Sequence, residues 1–206
     1  MRTPTRRRRP GFRAELPERL ATEQGAHPEA EVQLWAEDEH RLGLKPIFRL
    51  IWAPRGQRPI VPVRPRYQWL WVVAFVCPER GETSFWLVPA RSTEVFQLLL
   101  DAFAQEQGVG RRKQILLVLD QAGWHVSTAL EVPEGITLIS LPPYSPELQP
   151  AEHLWRLIDE PLANRVFHSL DELEAVLGSR IRVLSERRDQ IRSTTLFHWW
   201  PRVGHR

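Results

Sequence analysis

Hydrophobic and polar positions divide the chain into two regimes. Up to about residue 30 it is polar and interrupted by Pro4, Pro10, Pro17 and Pro28, which predicts a flexible arm with a short helix near 15–24. From Val32 onward regular patterns take over. Val32, Leu34 and Ala36 alternate with polar or amphipathic neighbours, predicting a strand that ends at Glu37-Asp38-Glu39. Residues 47–53 read as a second extended segment, closed by the turn Pro54-Arg55-Gly56, and Pro59, Pro62 and Pro65 make 59–66 an extended loop or edge strand. Residues 69–77 and 84–88 are strand-like, with 78–82 as their hairpin connection. Ser92 or Thr93 caps a helix through Val95, Phe96, Leu98, Leu99, Ala102 and Phe103, which Gly108 and Gly110 close.

The wholly apolar run 115–119 predicts a strand buried on both faces, and 135–139 a weaker one. Leu141-Pro142-Pro143-Tyr144-Ser145-Pro146 excludes regular helix and central strand. A helix is predicted from Pro150 to near Pro161, with Ala151, Leu154, Trp155 and Ile158 on one face. Another follows the capping box Ser169-Leu170-Asp171-Glu172 through Leu173, Val176, Leu177, Ile181 and Leu184. A strand meander followed by alternating strands and helices implies an α/β fold, a mixed sheet with helices on its faces.

Length adds that 206 residues suit one domain with a real core. The net charge of +3 conceals its layout: residues 1–13 carry +6, residues 180–206 carry +5, and the stretch between them carries −8. Basic ends around an acidic body point to a polyanion such as nucleic acid, the alternative being solvated termini. A single cysteine, Cys77, excludes an internal disulfide and a cysteine zinc site. With no secretory signal and no long apolar run, the expectation is a cytoplasmic protein with no membrane partner.

Three carboxylates carry the candidate chemistry. Asp38 ends the first strand, Asp120 ends the apolar fourth one, and Glu152 lies in the first turn after the proline loop. Each alone is an ordinary solvated acid, but ligands in open α/β sheets gather beyond the carboxyl ends of strands. If the first and fourth strands are parallel neighbours, the two aspartates project side by side and the helix brings Glu152 over them. Grouped carboxylates repel and need cations; an all-oxygen set suits Mg²⁺ or Mn²⁺. Two such ions roughly 3.5–4 Å apart would serve the attacking and leaving oxygens of a phosphodiester.

Four motifs extend this reading: Trp35-Ala36-Glu37-Asp38-Glu39; Trp52-Ala53-Pro54-Arg55-Gly56-Gln57-Arg58-Pro59; Leu117-Val118-Leu119-Asp120-Gln121-Ala122-Gly123-Trp124-His125; and the stretch from Leu141-Pro142-Pro143-Tyr144-Ser145-Pro146 to Pro150-Ala151-Glu152-His153-Leu154-Trp155. Together, over residues 31 to about 185, the chain resembles the catalytic half of a mariner-type bacterial insertion-sequence transposase of the insertion-sequence 630 group. The last motif is the most specific. The resemblance implies a ribonuclease-H-like fold, a mixed five-stranded sheet flanked by helices, and a DDE triad of Asp38, Asp120 and Glu152 binding two Mg²⁺ or Mn²⁺ ions. Glu39 is then a residue behind the metal ligands or a structural one. Gln149 stands where the family usually has asparagine, and the Asp120–Glu152 gap is slightly short.

The implied activity is metal-dependent cleavage at transposon ends and strand transfer into a TA target. The implied partners are double-stranded DNA (terminal inverted repeats and target) and a second copy of the chain in the synaptic complex. Family members carry helix-turn-helix domains before the first acid. Thirty residues hold none, so an upstream helix-turn-helix protein or frameshift partner, or a truncated copy, is expected. The alternatives are an inactive remnant that only binds DNA and another ribonuclease-H-like nuclease. Nucleoid association would follow from DNA binding.

Arg55 and Arg58 in the glycine turn, and Trp124 and His125 beside Asp120, are candidate DNA contacts. For the arginines the alternative is a solvated hairpin; for Trp124 it is the core; for His125 it is a structural or solvated place. The expected organisation is a basic arm over 1–30, a catalytic domain over 31–190 and a tail over 191–206, whose Trp199-Trp200 pair either packs back or forms a partner surface.

Overall fold

The computed structural model describes residues 8–50, 52–57, 60 and 66–203. Five strands, β1 (Glu31–Gly43), β2 (Trp69–Cys77), β3 (Glu82–Val88), β4 (Lys113–Leu119) and β5 (Ile136–Ser140), form one sheet in the order β3-β2-β1-β4-β5. β2 is antiparallel to both β1 and β3, whereas β4 is parallel to both β1 and β5. This is the mixed five-stranded sheet predicted, with β1 and β4 as parallel neighbours in its centre.

Period-two alternation sends each central strand's residues to two cores. Leu34, Ala36, Val72, Ala74, Leu116 and Val118 join one; Trp35, Val73, Phe75, Ile115, Leu117 and Leu119 join the other. The second core is covered by α2 (Thr93–Gln107) through Phe96, Leu99, Leu100 and Phe103. Phe103 stacks on Phe75 at 4.2 Å and meets the edge of Trp35 at 5.0 Å. Helix α2 is fixed at both ends: Ser92 accepts from the Val95 amide, and Gly108, at φ 63, closes it in the left-handed region.

The first core is covered by α1 (Arg8–Ala26), α3 (Trp155–Ile158), α4 (Leu170–Ser185) and α5 (Arg188–Thr195). Ser169 caps α4 by accepting from the Glu172 amide at 3.2 Å, as the capping box predicts. Gly81 in the β2–β3 hairpin sits against α5: a Cβ there would lie 2.1 Å from the Arg188 carbonyl, and φ is +65. Only glycine allows that approach.

Four sequence expectations change. β1, expected to end at Glu37-Asp38-Glu39, runs on to Gly43 because β2 pairs with it that far. The arm is, over Arg8–Ala26, a helix whose Phe12, Leu16 and Leu20 are buried. Their spacing of four supplies one apolar stripe among charged residues. The extended segment at 47–53 is no strand among its described residues; Ile47 forms an isolated bridge to Ala163, and Asn164 bonds both the amide and the carbonyl of Arg49. The helix expected from Pro150 to Pro161 is a 3-10 turn, Ala151–Leu154, continuing into the four-residue α3.

The C-terminal aromatic pair packs back. Trp200 is buried, and Trp199 meets Phe12 of α1 and Phe197. Between β1 and β2 the chain instead makes a long excursion exposing Phe48, Leu50, Trp52, Ile60 and Tyr67. Among the described residues no helix is long and apolar enough to cross a membrane.

Candidate active site

The last parallel pair of β1 and β4 is Ala36 with Val118. Two residues further along stand Asp38, still in β1, and Asp120, just past the end of β4, so the register carries both to the same edge. Both line a cleft of about 540 Å³ together with Glu152 and the proline loop from Leu141 to Pro146. The three acids of the sequence reading, from three separate segments, thus face one space. A smaller cavity of about 300 Å³ opens near the start of β1; Arg80 there already pairs with Glu31 and Glu82.

Each acid is held differently. Asp38 Oδ2 accepts from the Trp155 indole at 2.7 Å, and His40 stacks on that indole while bonding Asp159 at 2.9 Å. Burial raises Asp38 to about 7, Glu152 and Glu39 add to the rise, and the Trp155 bond opposes it. Asp120 receives the Ala122 amide and the His125 ring Nδ1 on the same oxygen, Oδ1, both at 2.8 Å. The His125 bond is the main reason its pKa is lowered. Glu152 is raised by burial and by the charges of Asp120 and Glu147.

The Glu152 turn is tied to the sheet by Gln149. Its amide donates to the Glu37 carbonyl of β1 at 2.7 Å in the interior, and the Ala151 amide approaches its side-chain oxygen. Ala151 and Leu154 are fully buried, and His153 packs on Phe197 and reaches the Thr194 carbonyl. On the other wall Gln121 fastens the proline loop by donating to the Leu141 carbonyl at 2.8 Å.

Behind Asp120 lies a second group of charges. By alternation Glu37 and Glu39 face the α2 side, opposite to Asp38. His125 Nε2 is 3.4 Å from Glu37 and 3.3 Å from Glu39, and the Trp124 indole donates to Glu39 at 2.7 Å. The indole nitrogen also lies 3.0 Å from His125 Nε2. Two N–H groups cannot bond each other, so the shorter contact to Glu39 takes the indole proton. Burial disfavours charge on His125, but Glu37, Asp120 and Glu39 outweigh it and raise its pKa to about 10. Glu37 is fully buried with no hydrogen bond, which pushes its pKa well up, and the charge of Glu39 adds to that.

Among the described residues, Glu37, Glu39 and His125 are the acids and imidazole whose ligand atoms all lie within 4.8 Å of one another. Asp38, Asp120 and Glu152 are spaced more openly. The tight group is nevertheless the poorer metal site. The surrounding acids raise its histidine to about 10, which favours a proton over a metal on the ring, and Nδ1 is already spent on Asp120. The cleft acids fit a metal better. They are all oxygen donors around an open space: Asp38 and Glu152 are raised by burial and by neighbouring acids, and Asp120 is held below the ordinary range by His125.

The remaining sequence candidates fall elsewhere. His125 is only 4% exposed and has both ring nitrogens turned to acids inside the protein, which is the structural one of its two readings. Trp124 is half-buried on Glu39. Arg55 is exposed in its turn, away from the cleft lining; Arg58 lies outside the described residues. Sequence reading missed Trp155, Gln149 and Glu37 as site residues. Trp155 and Gln149 stand inside the proline-loop motif, three residues either side of Glu152, and that spacing was the available signal.

Residues 33–174 match the family described as DDE superfamily endonuclease. The chain belongs to that family. A relative of this DDE endonuclease domain in Sinorhizobium fredii (strain NBRC 101917 / NGR234), the uncharacterized protein y4pE/y4sA, is 36% identical over 132 residues, 64% of this chain and 96% of that protein. Among solved structures, the catalytic domain of Mos1 mariner transposase matches with a TM-score of 0.56 at 14% identity, covering 95% of each chain. The Mos1 mariner paired end complex with Mn matches at 0.59 and 16%, covering 95% of this chain and 63% of that one. The Mos1 strand transfer complex matches at 0.58 and 17%, covering 93% and 61%. The DDE domain therefore has the ribonuclease-H-like fold of a transposase catalytic domain, and spans about three fifths of the length of the chains in those complexes.

Proposed function

We propose that this chain is the catalytic domain of a mariner-type bacterial transposase of the insertion-sequence 630 group. It hydrolyses the phosphodiester at a transposon end to leave a 3′-hydroxyl and joins that hydroxyl to a TA target. The observation that carries this reading is the meeting of Asp38, Asp120 and Glu152 in one cleft, where the parallel pairing of β1 and β4 ends. These three residues would hold two Mg²⁺ or Mn²⁺ ions. When bound, the ions would supply activation of the attacking oxygen and neutralise charge on the leaving one. The chain's own part is placement. Trp155 fixes Asp38, His125 and the Ala122 amide fix Asp120 through Oδ1, and Gln149 anchors the Glu152 turn. The solved relatives named for a paired end complex with Mn and a strand transfer complex support the metal and the DNA partner. The exposed Leu50 and Trp52 of the excursion between β1 and β2 offer apolar surface that would suit a second copy of the chain in a synaptic homodimer.

The purified chain is expected to nick DNA carrying the terminal inverted repeats that flank its reading frame when Mn²⁺ or Mg²⁺ is present, and to stop when a chelator is added. Absence of nicking with either ion, at any protein concentration that saturates the DNA, refutes the enzymatic reading.

Metal binding should also appear in stability. Asp38 is raised from its ordinary 3.8 to about 7, so the folded state carries a cost that grows as pH climbs through that window, up to about 4 kcal/mol. Below it the carboxyl is protonated and no cost arises. A divalent ion offsets the cost only where Asp38 is ionised. Mn²⁺ is therefore expected to raise the melting temperature at pH 8 and hardly at pH 5. An equal shift at both, read by thermal denaturation, excludes Asp38 as a ligand.

A further inference from the structure

Arg91 lies between β3 and the Ser92 cap of α2, exposed and outside the cleft lining, yet its guanidinium is firmly placed. Its guanidinium carbon is 3.9 Å from the centre of the Trp71 ring and 4.4 Å from that of Trp124. The Trp124 indole is itself fixed by Glu39, and Trp71 is buried on β2. A guanidinium held against two indole faces keeps its plane and its N–H edge in one orientation. Among the described residues Arg91 makes no hydrogen bond and no ion pair, and its positive charge reaches Asp120. The same arrangement continues along the sheet: Arg41 of β1 lies 5.5 Å from the Trp69 ring and 5.8 Å from that of Trp71. Arginine and tryptophan thus alternate from Arg41 through Trp71 and Arg91 to Trp124, which adjoins His125 and the Asp120 loop.

We propose that this ladder is a binding track for the DNA backbone, in which Arg91 grips a phosphate of the strand entering the cleft and Arg41 a phosphate farther along it. The assignment rests on the transposase reading above. A planar fork of unspent donors matches two phosphate oxygens, and prior immobilisation lowers the entropic cost of that contact. The indoles hold the cation where its charge reaches Asp120 without neutralising it, which a carboxylate partner would do. The ladder thereby gives a strongly acidic cleft a means of admitting a polyanion.

The test is DNA binding without chemistry. Anisotropy of a labelled duplex carrying the inverted repeat is measured in chelator across a salt series, for the wild-type chain and for Arg91→Met, Arg91→Lys and Arg182→Met. Methionine keeps the stem packing on the indoles and removes the charge. Arg182, exposed on α4, reports the loss of one charge elsewhere. Arg91→Met is expected to bind roughly tenfold more weakly, with the slope of log K against log salt reduced by about 1. Arg91→Lys should restore the slope but only part of the affinity, because lysine lacks the stacked fork. Arg182→Met should match the wild type.

If Arg91→Met binds like the wild type or like Arg182→Met, the track is wrong. If that variant also nicks DNA with Mn²⁺ as the wild type does, the transposase reading stands without the track. A wild-type chain that neither binds the duplex nor nicks it removes both.

Discussion

Asp120→Asn is expected to lower metal-dependent nicking by on the order of 10³-fold or more and to leave the chain folded. The carboxamide oxygen can still accept from the Ala122 amide and from His125 Nδ1, so the turn after β4 keeps its shape. What disappears is the negative charge that a cation needs. Stability follows a different balance. Removing that charge relieves its repulsion of Glu152, which raises the Glu152 pKa, and forfeits its attraction to His125. His125 retains Glu37 and Glu39, so the two changes oppose each other. The melting temperature should stay within the 2–4 °C that about 1 kcal/mol represents for a chain of this size. Nicking within tenfold of the wild type, measured on protein of unchanged circular dichroism, would exclude Asp120 from the metal site. Glu152→Gln should show the same division between activity and stability, since its side chain faces the cleft and makes no structural tie of the kind Asp38 makes with Trp155.

The parts of this site that were legible in the sequence share a physical property: they are local. The run 115–119 is wholly apolar because β4 is covered on both faces, and the acid immediately after it marks the point where the strand emerges. Paired prolines likewise forbid regular structure wherever the chain goes, so the loop before Glu152 could be read without its surroundings. The end of β1 was less legible. Glu37-Asp38-Glu39 looks like a polar stop, yet the strand continues to Gly43 because β2 pairs with it as far as Gly43 with Trp69 and buries Leu42. The N-terminal helix was obscured for a similar reason. Phe12, Leu16 and Leu20 are sparse among charges, and only the sheet face that receives them makes the stripe count. His125 was legible only in part. Its structural place was one of the two readings open to a lone histidine, but its three carboxylate partners come from β1 and from the turn after β4 and cannot be seen together until those strands are adjacent.

That adjacency gives the second large effect. His125→Leu is expected to destabilise the chain by about 3–5 kcal/mol at neutral pH, because it removes the cation that Glu37, Asp120 and Glu39 together stabilise. The pH dependence fixes the cause. The folded pKa of His125 is about 10 against an ordinary 6.5, so the stability its charge provides is complete below 6.5 and is lost as pH rises through 10. The gap between wild type and variant in urea denaturation should therefore be wide at pH 6.5 and narrow toward pH 10; a gap that does not narrow would mean lost packing against Phe96, which the imidazole ring meets at 4.4 Å. Activity can be separated from stability with His125→Asn. The asparagine amide can take the place of Nδ1 and still donate to Asp120 Oδ1, but it brings no charge to the glutamates. This variant should stay destabilised at pH 6.5 while recovering most of the roughly 10- to 100-fold loss of nicking expected of His125→Leu. If asparagine instead restored stability and not nicking, the charge would not be what holds the glutamates, and the donor to Asp120 Oδ1 would not be what nicking needs from His125.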